Sequence, residues 1–171
     1  MSHTDPRTQG VGDDRYRVVP RTLIFLTAPQ HLLLLKGAAH KRLWAGRYNG
    51  LGGHIEPGED VLQAARRELE EETGLTEVDL HLCGTMMVDT GTPTGVLLFV
   101  FRGFLEDTPP VAASDEGEPQ WVPVDGVVNL PLVDDLFVLL PRVLAWQPGQ
   151  EPFHGLITTD ADGLPRVQFS A

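Results

Sequence analysis

The sequence predicts an α/β/α sandwich around a mixed β-sheet, and three observations carry that expectation. β-rich or apolar runs lie on both sides of a capped, carboxylate-rich helix at 60–73; a second amphipathic helix falls late, at 133–146; and 42% hydrophobic content in 171 residues is enough for one domain with a real core. Residues 1–15 are polar and contain glycine, so they read as a flexible N-terminal arm, leaving 16–171 as a single domain.

Taken in order, residues 17–26 and 32–35 are strand-like runs separated by Ala28-Pro29-Gln30, which predicts a hairpin. Residues 44–55 hold glycines and aromatics and read as a short irregular strand that delivers Gly52 and Gly53 to the helix beyond. Pro57 and Gly58 break that segment, Asp60 can cap the helix, and Gln63 can reach back to complete a capping box. Good helix formers follow (Leu62, Gln63, Ala64, Ala65, Arg66, Arg67, Leu69), and Gly74 stands where a left-handed C-cap is wanted, so the helix stops near Thr73. Residues 78–88 and 96–104 read as two further strands, with a turn-rich linker at 89–94. Past Pro109 and Pro110 a polar loop runs to Pro119, and a strand follows at 120–124.

In the second helix Leu136, Leu139, Leu140 and Val143 recur at helical spacing, Asp134 or Asp135 can cap the start, and Pro141 should kink the helix or split it. The tail, 153–158 and 167–169 around Asp160-Ala161-Asp162-Gly163, reads as a closing hairpin.

Composition bounds the function. A net charge of −11 argues against a nucleic-acid polymer, whose backbone needs a basic stripe to replace its counterions. One basic island, Lys36, His40, Lys41, Arg42 and Arg47, precedes the helix and either meets phosphates or is a solvated loop. No apolar run approaches the roughly 20 residues that span a bilayer, and residues 1–16 lack a hydrophobic signal core, so a cytoplasmic protein with no membrane partner is expected. Cys83 is the single cysteine, which excludes an intrachain disulfide, and the six histidines (His3, His31, His40, His54, His81, His154) show no zinc spacing.

The first helix carries the chemistry. At about 100° per residue, Leu62, Ala65 and Leu69 form an apolar stripe, while Glu68, Glu71 and Glu72 fall on a neighbouring face and are expected to point outward together. Such a run is ordinarily a solvated, salt-bridged face. Like charges at this spacing repel, and a hard divalent cation that prefers carboxylate oxygens and shares itself with phosphates is the natural counterpart. Arg67 can pair with Glu71 at i+4, and Glu59 adds an acid at the loop-to-helix junction.

The spacing resembles the signature of the Nudix hydrolases: Gly, five residues, Glu, seven residues, Arg-Glu-apolar, one residue, Glu-Glu, one residue, Gly-apolar. Gly53, Glu59, Arg67, Glu68, Leu69, Glu71, Glu72, Gly74 and Leu75 fill every position, a match expected by chance about once in a billion registers. The resemblance extends over roughly residues 21–169 and looks closest to MutT-type enzymes that remove oxidised purine nucleoside triphosphates such as 8-oxo-dGTP. It rests there on residues 47–53, Ser114-Asp115-Glu116 with Trp121, Asp134-Asp135, and Phe153-His154-Gly155.

The resemblance implies the same sandwich with a catalytic strand-loop-helix. It implies magnesium, with manganese as a substitute, on Glu68, Glu71 and Glu72, with Glu59 and the Gly53 carbonyl as further ligands. Glu71 or Glu72 would also orient the attacking water, Glu116 would be a ligand or base, and Arg67 would support the carboxylates or touch phosphate. Asn49, Asp134 and Asp135 would hydrogen-bond the base. Close relatives carry Trp-Pro before the Asp pair, the Trp stacking on the purine; here Leu132 and Val133 stand there, leaving Trp44 or Tyr48 to supply a ring. The implied activity is Mg-dependent hydrolysis of a nucleoside diphosphate linked to a leaving group, most readily a triphosphate giving monophosphate and pyrophosphate, by a monomer or homodimer. Hydrolysis of dinucleoside polyphosphates or nucleotide sugars, or a non-catalytic nucleotide-sensing domain, are the alternatives.

Overall fold

The computed structural model describes residues 15–40 and 44–170. The expected arm lies outside the described residues but for Arg15, and so do Lys41 and Arg42 of the basic island. The strands are β1 (Arg17–Ala28), β2 (His31–Gly37), β3 (Tyr48–Asn49), β4 (Leu80–Val88), β5 (Thr94–Phe104), β6 (Gly117–Pro123), β7 (Phe153–Thr159) and β8 (Pro165–Phe169). They form one mixed sheet in the order β3-β2-β1-β5-β4-β7-β8, with β6 on the other side of β2. Helices α1 (Val61–Thr73) and α2 (Leu136–Ala145) cover opposite faces. Among the described residues no helix is long and apolar enough to cross a membrane.

Strand periodicity explains the two layers. In β1, Leu23 and Phe25 point into the core beneath α2, with Leu136, Leu139, Leu140 and Val143. Ile24 and Leu26 alternate to the other face and meet Ala65 and Leu69 of α1. Burial on both faces suits a long strand paired in parallel with β5 from Arg17↔Thr94 to Thr27↔Phe104. Leu69 is 1% exposed, so truncating it to Ala would cost about 2–5 kcal/mol.

Helix α1 starts and stops where its local signals say. Asp60 accepts from the Leu62 and Gln63 amides, the Gln63 side chain accepts from the Asp60 amide, and Gly74 ends the helix at φ 78°. A gap in the sheet then sets the site. β1 pairs with β2 only at the hairpin end, from Leu26↔Leu33 to Ala28↔His31. Beyond it β3 takes over the edge of β2, and residues 51–53 cross to β1, where Ile24 and Leu51 bond mutually and the Thr22 amide donates to the Gly53 carbonyl at 2.8 Å. Gly52 stands at φ 117° in that crossing, and only glycine takes this conformation without strain.

Three expectations are corrected. Helix α2 begins at Leu136 rather than 133, because Leu132 and Val133 are held extended against Tyr48: the Val133 amide donates to the Tyr48 carbonyl at 2.9 Å. Asp135 does stand at the N-cap, as one of the two expected residues, but without a side-chain capping bond, while Asp134 pairs with Arg47. Of the kink or split expected at Pro141, the split does not occur, and α2 runs unbroken from Leu136 to Ala145: Pro141 and Phe137, whose carbonyl the proline leaves without a donor, are both exposed, where water can bond the carbonyl. A 3-10 helix at Val124–Asn129, which the sequence reading did not anticipate, links β6 to this region. The tail forms the expected hairpin and extends the sheet, with β7 parallel to β4 from Gly84↔Phe153 to Val88↔Ile157.

Candidate active site

The loop before α1 and the helix itself surround Arg67. Its Nε and Nη2 fork onto the two oxygens of Glu59 at 2.6 and 3.0 Å, Nη1 donates to Glu68 at 2.9 Å and Glu71 at 3.1 Å, and Nη2 also reaches the His54 carbonyl at 3.0 Å. This fork, with the Glu56 amide on the same carboxylate, pulls the Glu59 pKa down to about 2 and pushes that of Arg67 up. Glu68 lies against Gly53, where a β-carbon would stand 2.5 Å from its Oε1. The missing side chain of Gly53 is therefore the space that Glu68 occupies.

Glu72 departs from the expected outward-facing trio. It is 2% exposed, and its Oε2 accepts from the Gly52 amide at 2.7 Å. The helix turns one face to solvent at Glu71 and drives Glu72 into the gap between β1 and β3. Among the described residues, no three acidic, histidine or cysteine side chains stand arranged to hold a metal ion, because Arg67 gathers Glu59, Glu68 and Glu71 around itself. The donor set still suits a hard dication: every group is a carboxylate or carbonyl oxygen, and three carboxylates around one guanidinium leave negative charge in excess.

Two adjoining cavities open beside this cluster and share Arg21, Trp44, Asn49, Gly50 and Gly52. The smaller, about 430 Å³, reaches Glu72, Glu116 and Arg47. The larger, about 640 Å³, lies on the α2 side of the sheet, with Leu23, Leu98 and Val133 as apolar lining and Asp135 as its acid. Burial pushes the Asp135 carboxyl above the usual range, and the neighbouring Asp134 charge adds to this. Asp134 goes the other way: Arg47 holds its carboxyl below the usual range, and the same guanidinium donates to the Leu132 carbonyl. The Asn49 side-chain oxygen accepts from the Gly50 amide at 2.8 Å, which fixes its orientation in the lining.

A model of the NUDIX domain matches residues 17–143. The chain belongs to the Nudix family. This Nudix hydrolase is 38% identical over 124 residues to the oxidized purine nucleoside triphosphate hydrolase of Danio rerio, covering 72% of the chain and 78% of the relative. The Mus musculus protein of the same name is 35% identical over 129 residues, covering 74% and 76%. Among solved structures, the MutT protein of Bacillus halodurans superposes with a TM-score of 0.74 at 24% identity, over 90% of the chain and 98% of that structure. The mixed, curled sheet with few helices is the fold of that structure.

In this Nudix hydrolase the cleft brings together Asn49, Asp135, Glu72 and Glu116, with Glu59, Arg67, Glu68 and Glu71 beside Gly53. Two residues expected at the base, Tyr48 and Asp134, lie elsewhere, as does Leu132, which stands in place of the relatives' stacking Trp. Tyr48 is buried in the α2-side core with its hydroxyl donated to Gln120 at 2.7 Å, and Leu132 is 1% exposed in the same core, because β3 and the chain before α2 pack together there. Asp134 is exposed and occupied by Arg47. Trp44, the other ring expected near the base, does border the cleft. It lines both cavities at φ 60°, with its carbonyl accepting from the Arg47 amide at 3.0 Å and pressed so close to Gly37 that a β-carbon there would stand 2.5 Å away. Arg21 also lines both cavities and was not singled out from the sequence. The available signal was its alternation with Leu23 and Phe25, which puts a cation on an inward-facing row.

Proposed function

We propose that this Nudix hydrolase converts purine nucleoside triphosphates, the oxidised forms above all, to monophosphate and pyrophosphate. The observation that carries this reading is the continuity of the cleft: one end holds Glu72 and Glu116, and the other is an apolar pocket ending in Asp135 and Asn49, a shape suited to a flat heterocycle with polar edges. The names of the two relatives support the same substrate class.

Glu68, Glu71 and Glu72 would hold magnesium or manganese, with Glu59 and the Gly53 carbonyl beside them, and the ion would neutralise phosphate charge and supply an activated water. The chain's own groups do the remainder. Arg67 holds Glu59, Glu68 and Glu71 in one cluster, so that freeing them for a dication requires no unfolding, only a shift of one guanidinium. The water's oxygen forms a bond to phosphorus, the anhydride P–O bond breaks toward pyrophosphate, and the water's proton passes to a carboxylate, a role we assign to Glu116 because it shares a cavity with Glu72. Trp44 stacks on the base, and Asp135, whose carboxyl burial pushes above the usual range, offers a hydrogen-bonding group to one edge while Asn49 fixes the other side.

Incubating the purified protein with magnesium and a panel of nucleoside triphosphates, dinucleoside polyphosphates and nucleotide sugars tests the reading. Pyrophosphate and monophosphate should appear from purine triphosphates first, and Glu71→Gln should remove most turnover with the fold intact. No turnover of any pyrophosphate compound sinks the proposal.

A further inference from the structure

Among the described residues, two arginines line the cleft, Arg21 and Arg47. The Arg21 guanidinium makes no side-chain hydrogen bond or ion pair among the described residues, whereas Arg47 is committed to Asp134 and the Leu132 carbonyl. Arg21 is half-buried, and a partly desolvated cation without an anion is an unfavourable arrangement that a bound anion relieves. Its place is fixed by the sheet: β1 sets it opposite Leu98 of β5, and the next residue, Thr22, bonds Gly53 through its amide and hydroxyl. Arg21 therefore sits where the carboxylate end of the cleft joins the apolar end, since it lines both cavities.

We propose that Arg21 binds the phosphate that stays with the nucleoside after cleavage. The proposal rests on the nucleotide reading above. In a nucleotide lying along this cleft, the base occupies the apolar end and the bond to be cut lies near the glutamates. The group between them is the phosphate attached to the sugar. A planar guanidinium matches two oxygens of such a group at once, and it offsets the repulsion that Glu72 and Glu116 exert on any anion entering the cleft. Arg21 is thus a substrate-binding residue that ranks ligands by their innermost phosphate.

Calorimetric titration with deoxyguanosine and with its 5′-monophosphate isolates this contact from turnover, because neither ligand has an anhydride to cut. The wild-type protein should bind the monophosphate at least about tenfold more tightly than the nucleoside. In Arg21→Ala the ratio should fall to near one with nucleoside affinity unchanged, and Arg21→Lys should recover part of it. A ratio unchanged in Arg21→Ala, an equal loss of both affinities, or a wild-type protein that binds no nucleoside or does not discriminate would overturn the proposal. Arg21→Gln carries the same measurement if the alanine variant does not fold. Hydrolysis with an unmoved ratio would refute Arg21 alone, and a collapsed ratio without hydrolysis would refute the reaction alone.

Discussion

Replacing Gly53 by Ala should disable the site without unfolding the protein. The new β-carbon would stand 2.5 Å from Oε1 of Glu68 and 2.7 Å from its Cδ and Oε2, against about 3.4 Å for ordinary contact, so the carboxylate must retreat by about 1 Å. Its neighbour can yield, being the end of a flexible side chain. The retreat weakens the 2.9 Å bond from Arg67, where the arginine is 30% exposed and the glutamate 14%. After allowance for solvent screening such a pair is worth about 0.2–1 kcal/mol, close to the 0.4–1 kcal/mol or so that Gly→Ala returns by restricting the unfolded chain. The melting temperature should therefore move by no more than about 3 °C, while displacement of a reacting-site group by about 1 Å should cost about a hundredfold in kcat. Gly52→Ala is the contrast. There the β-carbon would meet the Thr22 carbonyl oxygen at 2.5 Å, at φ 117°, and backbone cannot step aside, so stability itself should fall by about 1–3 kcal/mol. Pyrophosphate release and thermal melts on both variants decide the matter: full activity in Gly53→Ala would refute the placement of Glu68 at the reacting centre.

Three further outcomes are expected. Trp44→Ala should raise KM for purine triphosphates about tenfold, within the roughly 1–3 kcal/mol of base stacking, with Trp44→Phe close to wild type; equal KM values would remove Trp44 from the base site. Because burial raises the folded-state pKa of Asp135 above its unfolded value, its contribution to stability is full below the unfolded pKa and is lost as pH rises through the folded one. Melts of wild type and Asp135→Asn should therefore diverge in favour of the variant as pH climbs, and divergence in the other direction would contradict the burial argument. Cys83 is fully buried with its thiol pushed up to about 12, so a disulfide reagent at mildly alkaline pH should label it only after denaturation; labelling of the native chain at the rate of a free thiol would show that the core opens readily.

Helix α1 was legible because everything that defines it is local: the Asp60–Gln63 box, the apolar stripe through Leu69 and the left-handed Gly74 all lie within its own span. The α/β/α layering followed from the same kind of signal. What escaped depended on contacts between distant segments. Periodicity groups Glu72 with Glu68 and Glu71, yet the Gly52 amide that draws Glu72 inward belongs to a loop whose crossing to β1 no periodicity announces. Sequence offers Tyr48 as a ring for the base and sets Leu132 at the relatives' stacking position, but β3 and the approach to α2 pack on one another and bury both. Asp134 looked interchangeable with Asp135, and only Arg47 separates them, making one an ion-pair partner and the other a buried acid in the cleft.

The pairing of β7 with β4 constrains the order in which the chain can assemble. β1, β5 and the inner edge of β4 can associate once Phe104 has been made, but the outer edge of β4 waits for Phe153, whose ring covers Gly84 so closely that no side chain could stand there. At about 5–20 residues per second a nascent chain carries that open edge, from Gly84 to Val88, for roughly 2–10 seconds. Strand edges left open are where chains pair with one another. The closing hairpin, which lies beyond the residues that the family model spans, thus acts late in synthesis as a guard against self-association, and products that stop after α2 would keep the hazard permanently.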